Sequence, residues 1–423
     1  MPEQRLTELH LHFHGCVRPP DLLRHLAASE DTDWDWYEGE MAAAYGAVPP
    51  TRRVVERHRR GDPGAAAEFA RLFVFRDEDA GSFARFQAKA NLLFAAPADP
   101  AVFAPGIRAD LARQGLAHAE LRVSAAMFPA LAATSGNTPV AERFAVSLPR
   151  RDPWPDWERV RALALGPHGH LLTGIDFSGA EEGHPPRAQA AFLAAVHEFN
   201  ATHPRRALAI LYHVGESFGD KSLESAVRWV HEAAELGAHR LGHAIALGLD
   251  PHTLGPHTRE EPASERRDQI AYDLEHAKGL GEFGVVVDPA ALRAELARLA
   301  PLPEAAPVPA RYDAARLTDV ARRQRYATSR LRALGTVIEV CPTSNRRTAG
   351  LTDPAAHPLG QFLAAGLPVT ISSDDPGLFG TTLAEELAWA AENFPGGQAL
   401  RPHLLATAWS SRAEILTGRA QVP

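Results

Sequence analysis

The sequence predicts a (β/α)8 TIM barrel with helical insertions at the catalytic end of the strands. Three observations carry this reading. Short β-rich apolar runs alternate with longer amphipathic ones along 423 residues, the pattern of βαβ units around a parallel sheet. Eight such runs occur, enough to close a barrel. Polar clusters stand at the carboxyl ends of several of them, where this fold builds its active sites.

In chain order, strands are expected at residues 6–11, 118–123, 143–148, 170–176, 207–213, 240–243, 336–341 and 368–373. The clearest helix follows the fifth strand. There Leu223, Ala226, Val227, Val230 and Ala234 recur at helical spacing, and Glu224 falls in the first turn, where the helix dipole favours a carboxylate. Two stretches stand outside this plan. Residues 34–77 carry Trp34, Trp36 and Tyr37 among acids, then Val48-Pro49-Pro50. Residues 250–317 hold an expected helix over 268–281, followed by Pro301, Pro303, Pro307 and Pro309, which argue against one continuous helix. No internal repeat or low-complexity tract interrupts the pattern. The chain, 1–423, reads as a single domain with two insertions.

Composition excludes several classes. The apolar fraction is 45% and the formal net charge is -8, a poor match for a phosphate-backbone binder. The basic run from Arg52 to Arg60 is interleaved with other residues and reads as a solvated helix face. Cys16 and Cys341 form no disulfide framework and no Cys-x-x-Cys metal motif. Neither a signal peptide nor a membrane-spanning run is evident, so the expected location is the cytoplasm, with no membrane and no nucleic-acid partner.

The chemistry begins at His10-Leu11-His12. Alternate residues of a strand share a face, so both imidazoles point the same way and offer half a metal site. Alone this means little: about one His-x-His is expected by chance at this histidine content, and a polar strand end explains it equally well. Position adds weight. Tyr212-His213-Val214-Gly215-Glu216 ends the fifth expected strand, Leu241-Gly242-His243 the sixth, and Ser373-Asp374-Asp375-Pro376 the eighth. A lone His213 would be an ordinary core histidine, and a lone Asp-Asp-Pro a helix N-cap. Together they supply three imidazoles and a carboxylate, with a further carboxylate and imidazole nearby.

Glu8-Leu9-His10-Leu11-His12-Phe13-His14-Gly15, His213-Val214-Gly215-Glu216, Arg240-Leu241-Gly242-His243, Val340-Cys341-Pro342-Thr343-Ser344-Asn345 and Asp374-Asp375-Pro376 resemble, in order, the motifs of the adenosine deaminase family within the metal-dependent amidohydrolases. Glu120-Leu121-Arg122 and Gly174-Ile175-Asp176-Phe177-Ser178-Gly179 also resemble family segments. The resemblance implies that His10, His12, His213 and Asp374 bind one divalent metal, with zinc the leading candidate. It implies that Glu216 donates a proton to purine N1 and that His243 orients or deprotonates the attacking water. Asp375 would meet N7, and the backbone of Gly179 would meet N3. The implied activity is hydrolytic deamination of a 6-aminopurine base, nucleoside or nucleotide, with release of ammonia. Such an acid needs a raised pKa, and burial together with Asp375 is expected to raise that of Glu216. The Pro-Cys-x-x-Cys of cytidine-type zinc deaminases is absent. The only lysine near an expected metal-facing strand end is Lys221, expected on the following loop or helix, which favours one metal over a lysine-bridged pair.

Two features depart from the family pattern. His14 stands where an acid that grips the ribose 5′-hydroxyl is expected. It could donate to a hydroxyl, donate to a phosphate if charged, or bond only within the protein. The connection from His243 to Cys341 is also long for the family, and residues 250–317 could form a lid over the site, or a peripheral pack or subunit contact. Two other functions remain open at this level: deamination of another amino-substituted heterocycle, and a nucleoside-binding barrel without turnover. Oligomeric state is left open, a homo-oligomer included.

Overall fold

The computed structural model describes residues 5–421 apart from Asn137. Eight parallel strands form one sheet: β1 (Leu6–His12), β2 (Leu116–Val123), β3 (Ala141–Ser147), β4 (Leu172–Phe177), β5 (Ala209–Val214), β6 (Arg240–His243), β7 (Val337–Val340) and β8 (Val369–Ile371). They lie in sequential order, each beside its chain neighbour. The segment just after β8 closes the ring against β1, through Asp374 N to His10 O and His12 N to Asp374 O, both 3.1 Å. This is the (β/α)8 barrel expected, and each strand overlaps its expected span.

Parallel strands covered on both faces need apolar outer faces. Leu9, Leu11, Leu121, Phe144, Val146, Ile175, Ile210, Leu241 and Ile338 are buried accordingly. The inner face differs from the aliphatic layers usual in such barrels. Glu120, Arg122, Asp176, Arg240 and Glu339 are all at most 2% exposed and form a charged layer beneath the strand ends. Arg240 joins Glu120 (2.5 Å) to Glu339 (2.6 Å), and Arg122 joins Glu339 (2.6 Å) to Asp176 (3.3 Å). Each ion is paired, which is what makes charge at this depth tolerable. At the amino end of the strands, Ala413 packs against Ala145, Ala209 and Leu211, and its N–H donates to Glu120.

The helix after β5, Leu223–Glu235, is buried along almost its whole length and capped by Ser222, whose hydroxyl accepts from Ser225 N. Glu224 does more there than complement a dipole. Buried, it accepts from Arg316 at 2.7 Å and lies 3.0 Å from Arg323, and so ties this helix to Ala314–Leu334.

Residues 34–77 fold as helices Trp34–Tyr45, Thr51–Arg59 and Ala65–Phe73, which bury Tyr37, Met41, Val54, Val55, Phe69 and Phe73 in the main core. Residues 250–317 stand outside the barrel sheet. An antiparallel ribbon pairs His257–Pro262 with Pro307–Tyr312, and between its strands lie helices Ala263–Glu275, Ala277–Glu282 and Pro289–Leu299. The single helix expected over 268–281 is therefore corrected: it starts earlier, and His276 caps one helix and opens the next. The later prolines end a helix and enter the ribbon. Among the described residues, no helix is long and apolar enough to cross a membrane.

Candidate active site

The carboxyl ends of β1, β5 and the β8 turn bring His10, His12, His213 and Asp374 together, with one donor atom from each within 4.8 Å of the others. Period-2 alternation on β1 places both imidazoles on the inner face, ring centroids 5.4 Å apart. The Nε2 atoms of His12 and His213 lie 3.2 Å apart, and Asp374 Oδ1 lies 3.3 Å from His10 Nε2 and 3.4 Å from His12 Nε2.

The far side of two rings is held by the charged layer: His10 Nδ1 by Glu339 at 2.8 Å and His213 Nδ1 by Asp176 at 3.1 Å. Such carboxylate partners set the tautomer and turn each Nε2 lone pair inward. Burial keeps His12 and His213 neutral, lowering them to about 3 and about 4. At His10, burial and Arg122 oppose protonation, but Glu339 and Asp374 hold it up at about 9. Two carboxylates that draw a proton to this point draw a cation equally.

The donors fit a divalent metal by a second test. His10 Nε2 and Asp374 Oδ1 are both buried without a hydrogen-bond partner, a costly arrangement unless something else coordinates them. Imidazole nitrogens and a carboxylate oxygen suit a borderline cation. His243, Cys341 and Asp374 form an overlapping group, but burial pushes the Cys341 thiol well up, away from the thiolate a metal needs.

Glu216 and His243 stand beside this cluster. His243 Nδ1 meets Asn345 Oδ1 at 2.8 Å, and its Nε2 lies 3.6 Å from Glu216 Oε2 and 3.9 Å from Asp374 Oδ2. Burial raises the Glu216 carboxyl to about 7; His243 opposes the rise and Asp374 adds to it. Glu181 adds to the rise as well, and Glu216 in turn helps to raise Asp375, the neighbour expected to be coupled to it. Three non-glycine residues here, His243, Ala244 and Asp374, have φ of 66°, 49° and 62°. Left-handed backbone costs such residues about 1–3 kcal/mol each and gathers at functional sites.

Close packing explains the glycines of two motifs. A Cβ on Gly15 would lie 1.7 Å from Asp375 Oδ1, and one on Gly242 would lie 3.0 Å from His10 Cε1. Glu181 emerges only in three dimensions. Its carboxylate accepts from the N–H groups of Gly215 (3.0 Å), Glu216 (2.7 Å) and Ser217 (3.0 Å), and so clamps the turn that carries Glu216. Lys221 points away from the cluster. It donates to Ser217 O and Asp220 and lies over the Trp229 ring.

The cluster opens on a cavity of about 460 Å³ that His14, Gly179 and Asp375 also line. Phe83, Phe86, Leu93 and Phe94, just beyond the first insertion, build an apolar wall. His14 sits in that wall, its ring 4.8 Å from Phe94, and burial lowers it to about 4. No described residue of 250–317 lines the cavity. That segment packs on the outer helices, in line with the peripheral alternative and not with a lid.

Residues 315–399 match the adenosine deaminase family model. An adenine deaminase of Rhizobium etli is 54% identical over 70 residues, 16% of this chain and 22% of that protein. An aminodeoxyfutalosine deaminase of Acidothermus cellulolyticus is 49% identical over 61 residues, 14% of this chain and 17% of that protein. The matched part thus spans about a fifth of these relatives' lengths. The fold is shared over nearly the whole chain. A crystal structure of adenine deaminase from Arthrobacter aurescens covers 98% of both chains at TM-score 0.54 and 18% identity. The apo N6-methyl-AMP deaminase of Arabidopsis thaliana covers 99% of this chain and 95% of its own, at TM-score 0.56 and 16% identity.

Proposed function

We propose that this chain is a member of the adenosine deaminase family and a zinc-dependent hydrolytic deaminase of an uncharged 6-aminopurine, base or nucleoside. One observation carries the reading. Four inward-facing donors, two of them buried and unpartnered, adjoin an acid and an imidazole beside a cavity of about 460 Å³. His10, His12, His213 and Asp374 would hold the metal, whose chemistry is to lower the pKa of water to about 7 and so supply hydroxide at neutral pH.

The remaining work falls to the side chains. Glu216, with its carboxyl near 7, holds a proton that it can deliver to a ring nitrogen as charge builds there. His243, fixed at Nδ1 by Asn345, presents Nε2 to accept a proton from the attacking water. Asp375, Gly179 and His14 line the cavity; Asp375 and the backbone of Gly179 would bond the ring, and His14 would face whatever extends from it. An uncharged substrate is favoured by the lining. Its only Arg or Lys is Arg122, already bound to Glu339, Asp176 and the Leu9 carbonyl. Among the described residues that line the cavity, no Arg or Lys is left free for a phosphate.

Ammonia release should be assayed with metal content measured in parallel, on adenine, adenosine, deoxyadenosine, aminodeoxyfutalosine and AMP. Turnover of an uncharged aminopurine well above AMP is expected. A metal-loaded protein inert on every aminopurine would overturn the reading in favour of another heterocycle, and preference for AMP would overturn the uncharged-substrate part. Glu181 clamps the Glu216 turn and its charge helps to raise the Glu216 carboxyl. Glu181→Ala should leave metal content intact and lower kcat about 10²-fold with KM little changed, since a displacement near 1 Å costs about that much. Glu181→Gln, which keeps an acceptor oxygen, should recover part of the loss. A change confined to thermal stability would assign Glu181 a purely structural role.

A further inference from the structure

A second cluster of donor atoms lies away from the barrel mouth, where the 250–317 segment meets the barrel's outer layer. His231 and Glu235 are four apart on the helix Leu223–Glu235 and share one face. That face meets His276, the hinge between Ala263–Glu275 and Ala277–Glu282. His231 Nε2 lies 3.3 Å from Glu235 Oε1, and His276 Nε2 lies 3.4 Å from Glu235 Oε2. All three donors fall within 4.8 Å of one another.

Each imidazole is turned by a tyrosine. Tyr272 Oη meets His231 Nδ1 at 2.7 Å, and Tyr326 Oη meets His276 Nδ1 at 3.0 Å. With Nδ1 engaged, Nε2 of each ring is directed at the carboxylate, as in histidines oriented by an outer partner to bind a metal. His231 is fully buried, and its Nε2 has no hydrogen-bond partner. Tetrahedral zinc with bonds near 2.0–2.1 Å sets its ligand atoms roughly 3.4 Å apart, close to the two separations seen here.

We propose that His231, Glu235 and His276 form a second site for a divalent transition cation of the zinc type. Glu235 is 31% exposed, which leaves the fourth position to solvent. The cation would pin the added segment to the barrel. The apolar cluster at this junction is small, with Tyr272, Leu280 and Val285 of the segment meeting Tyr326 of the helix Ala314–Leu334, and a metal clip supplies what a small core lacks.

The test is a count of bound zinc on the full chain, stripped with chelator, reloaded with zinc chloride and desalted, alongside thermal melting. The wild type should hold about two equivalents. Glu235→Gln, nearly isosteric, and His276→Gln should each hold about one, as should His10→Ala/His12→Ala. In the last variant chelator should lower Tm and zinc should restore it, whereas Glu235→Gln with His10→Ala/His12→Ala should not respond. A wild type that saturates at one equivalent, or a Glu235→Gln protein that binds as much zinc as the wild type, overturns the second site. An unchanged count in His10→Ala/His12→Ala would instead sink the metal site at the barrel mouth.

Discussion

Glu216→Gln is expected to retain the full metal content of the barrel mouth and to lose turnover by about 10²–10⁴-fold, the range for a positioned acid. Glutamine keeps the shape and fits the same pocket, so the fold and the cavity should persist. What it removes is a proton held near neutrality. Burial creates that property by disfavouring the carboxylate, and the His243 imidazole 3.6 Å away limits the rise. Steady-state kinetics with metal analysis would decide the point. If kcat survives the substitution, the proton comes from elsewhere and Glu216 is only a wall of the cavity.

The second large effect is expected at Asp374. Asp374→Ala and Asp374→Asn should both bind metal far more weakly and lose activity with it. Asp374 supplies the only carboxylate oxygen among the four donors and lies within 3.4 Å of two of the imidazoles. Its backbone, not its side chain, closes the barrel through the two hydrogen bonds with His10 and His12, so the fold should survive. Its φ of 62° separates the two variants. Asparagine tolerates left-handed backbone better than alanine, so Asp374→Asn should melt closer to the wild type. Metal retained at wild-type affinity by both variants would remove Asp374 from the ligand set.

These expectations differ in what they owe to the one-dimensional chain. That His10, His12, His213, Glu216, His243, Asp374 and Asp375 gather at strand ends was legible because strand period and the strand-end rule act locally, while their roles came only from the resemblance. Two residues apart on a strand share a face whatever surrounds them. The helix after β5 was legible for a similar reason, since its apolar repeat and Ser222 cap lie within one short window. The helical break at His276 was not, because the periodicity there runs through the residue where the chain bends.

Arg122, Asp176 and Arg240 lie in segments that carry the resemblance, but nothing local to them or to Glu339 announces a charged layer inside a barrel. Within its own strand each is one charged residue among apolar neighbours. Their pairing depends on the ring closing, which sets residues more than 200 positions apart, such as Arg122 and Glu339, at hydrogen-bond distance. The same is true of Glu181 under the Glu216 turn, of Asn345 on His243, and of the Phe83–Phe94 wall that shapes the cavity.

The amino-acid order alone determined the barrel, its eight strands and the identity of the residues at their carboxyl ends, because periodicity and capping are properties of neighbours. Tertiary structure decided which atoms of those residues remain unpaired, how their protons are held, and that residues 250–317 lie beside the barrel and not over its mouth. Those outcomes depend on burial and on partners distant in the chain, and neither exists until the ring is closed.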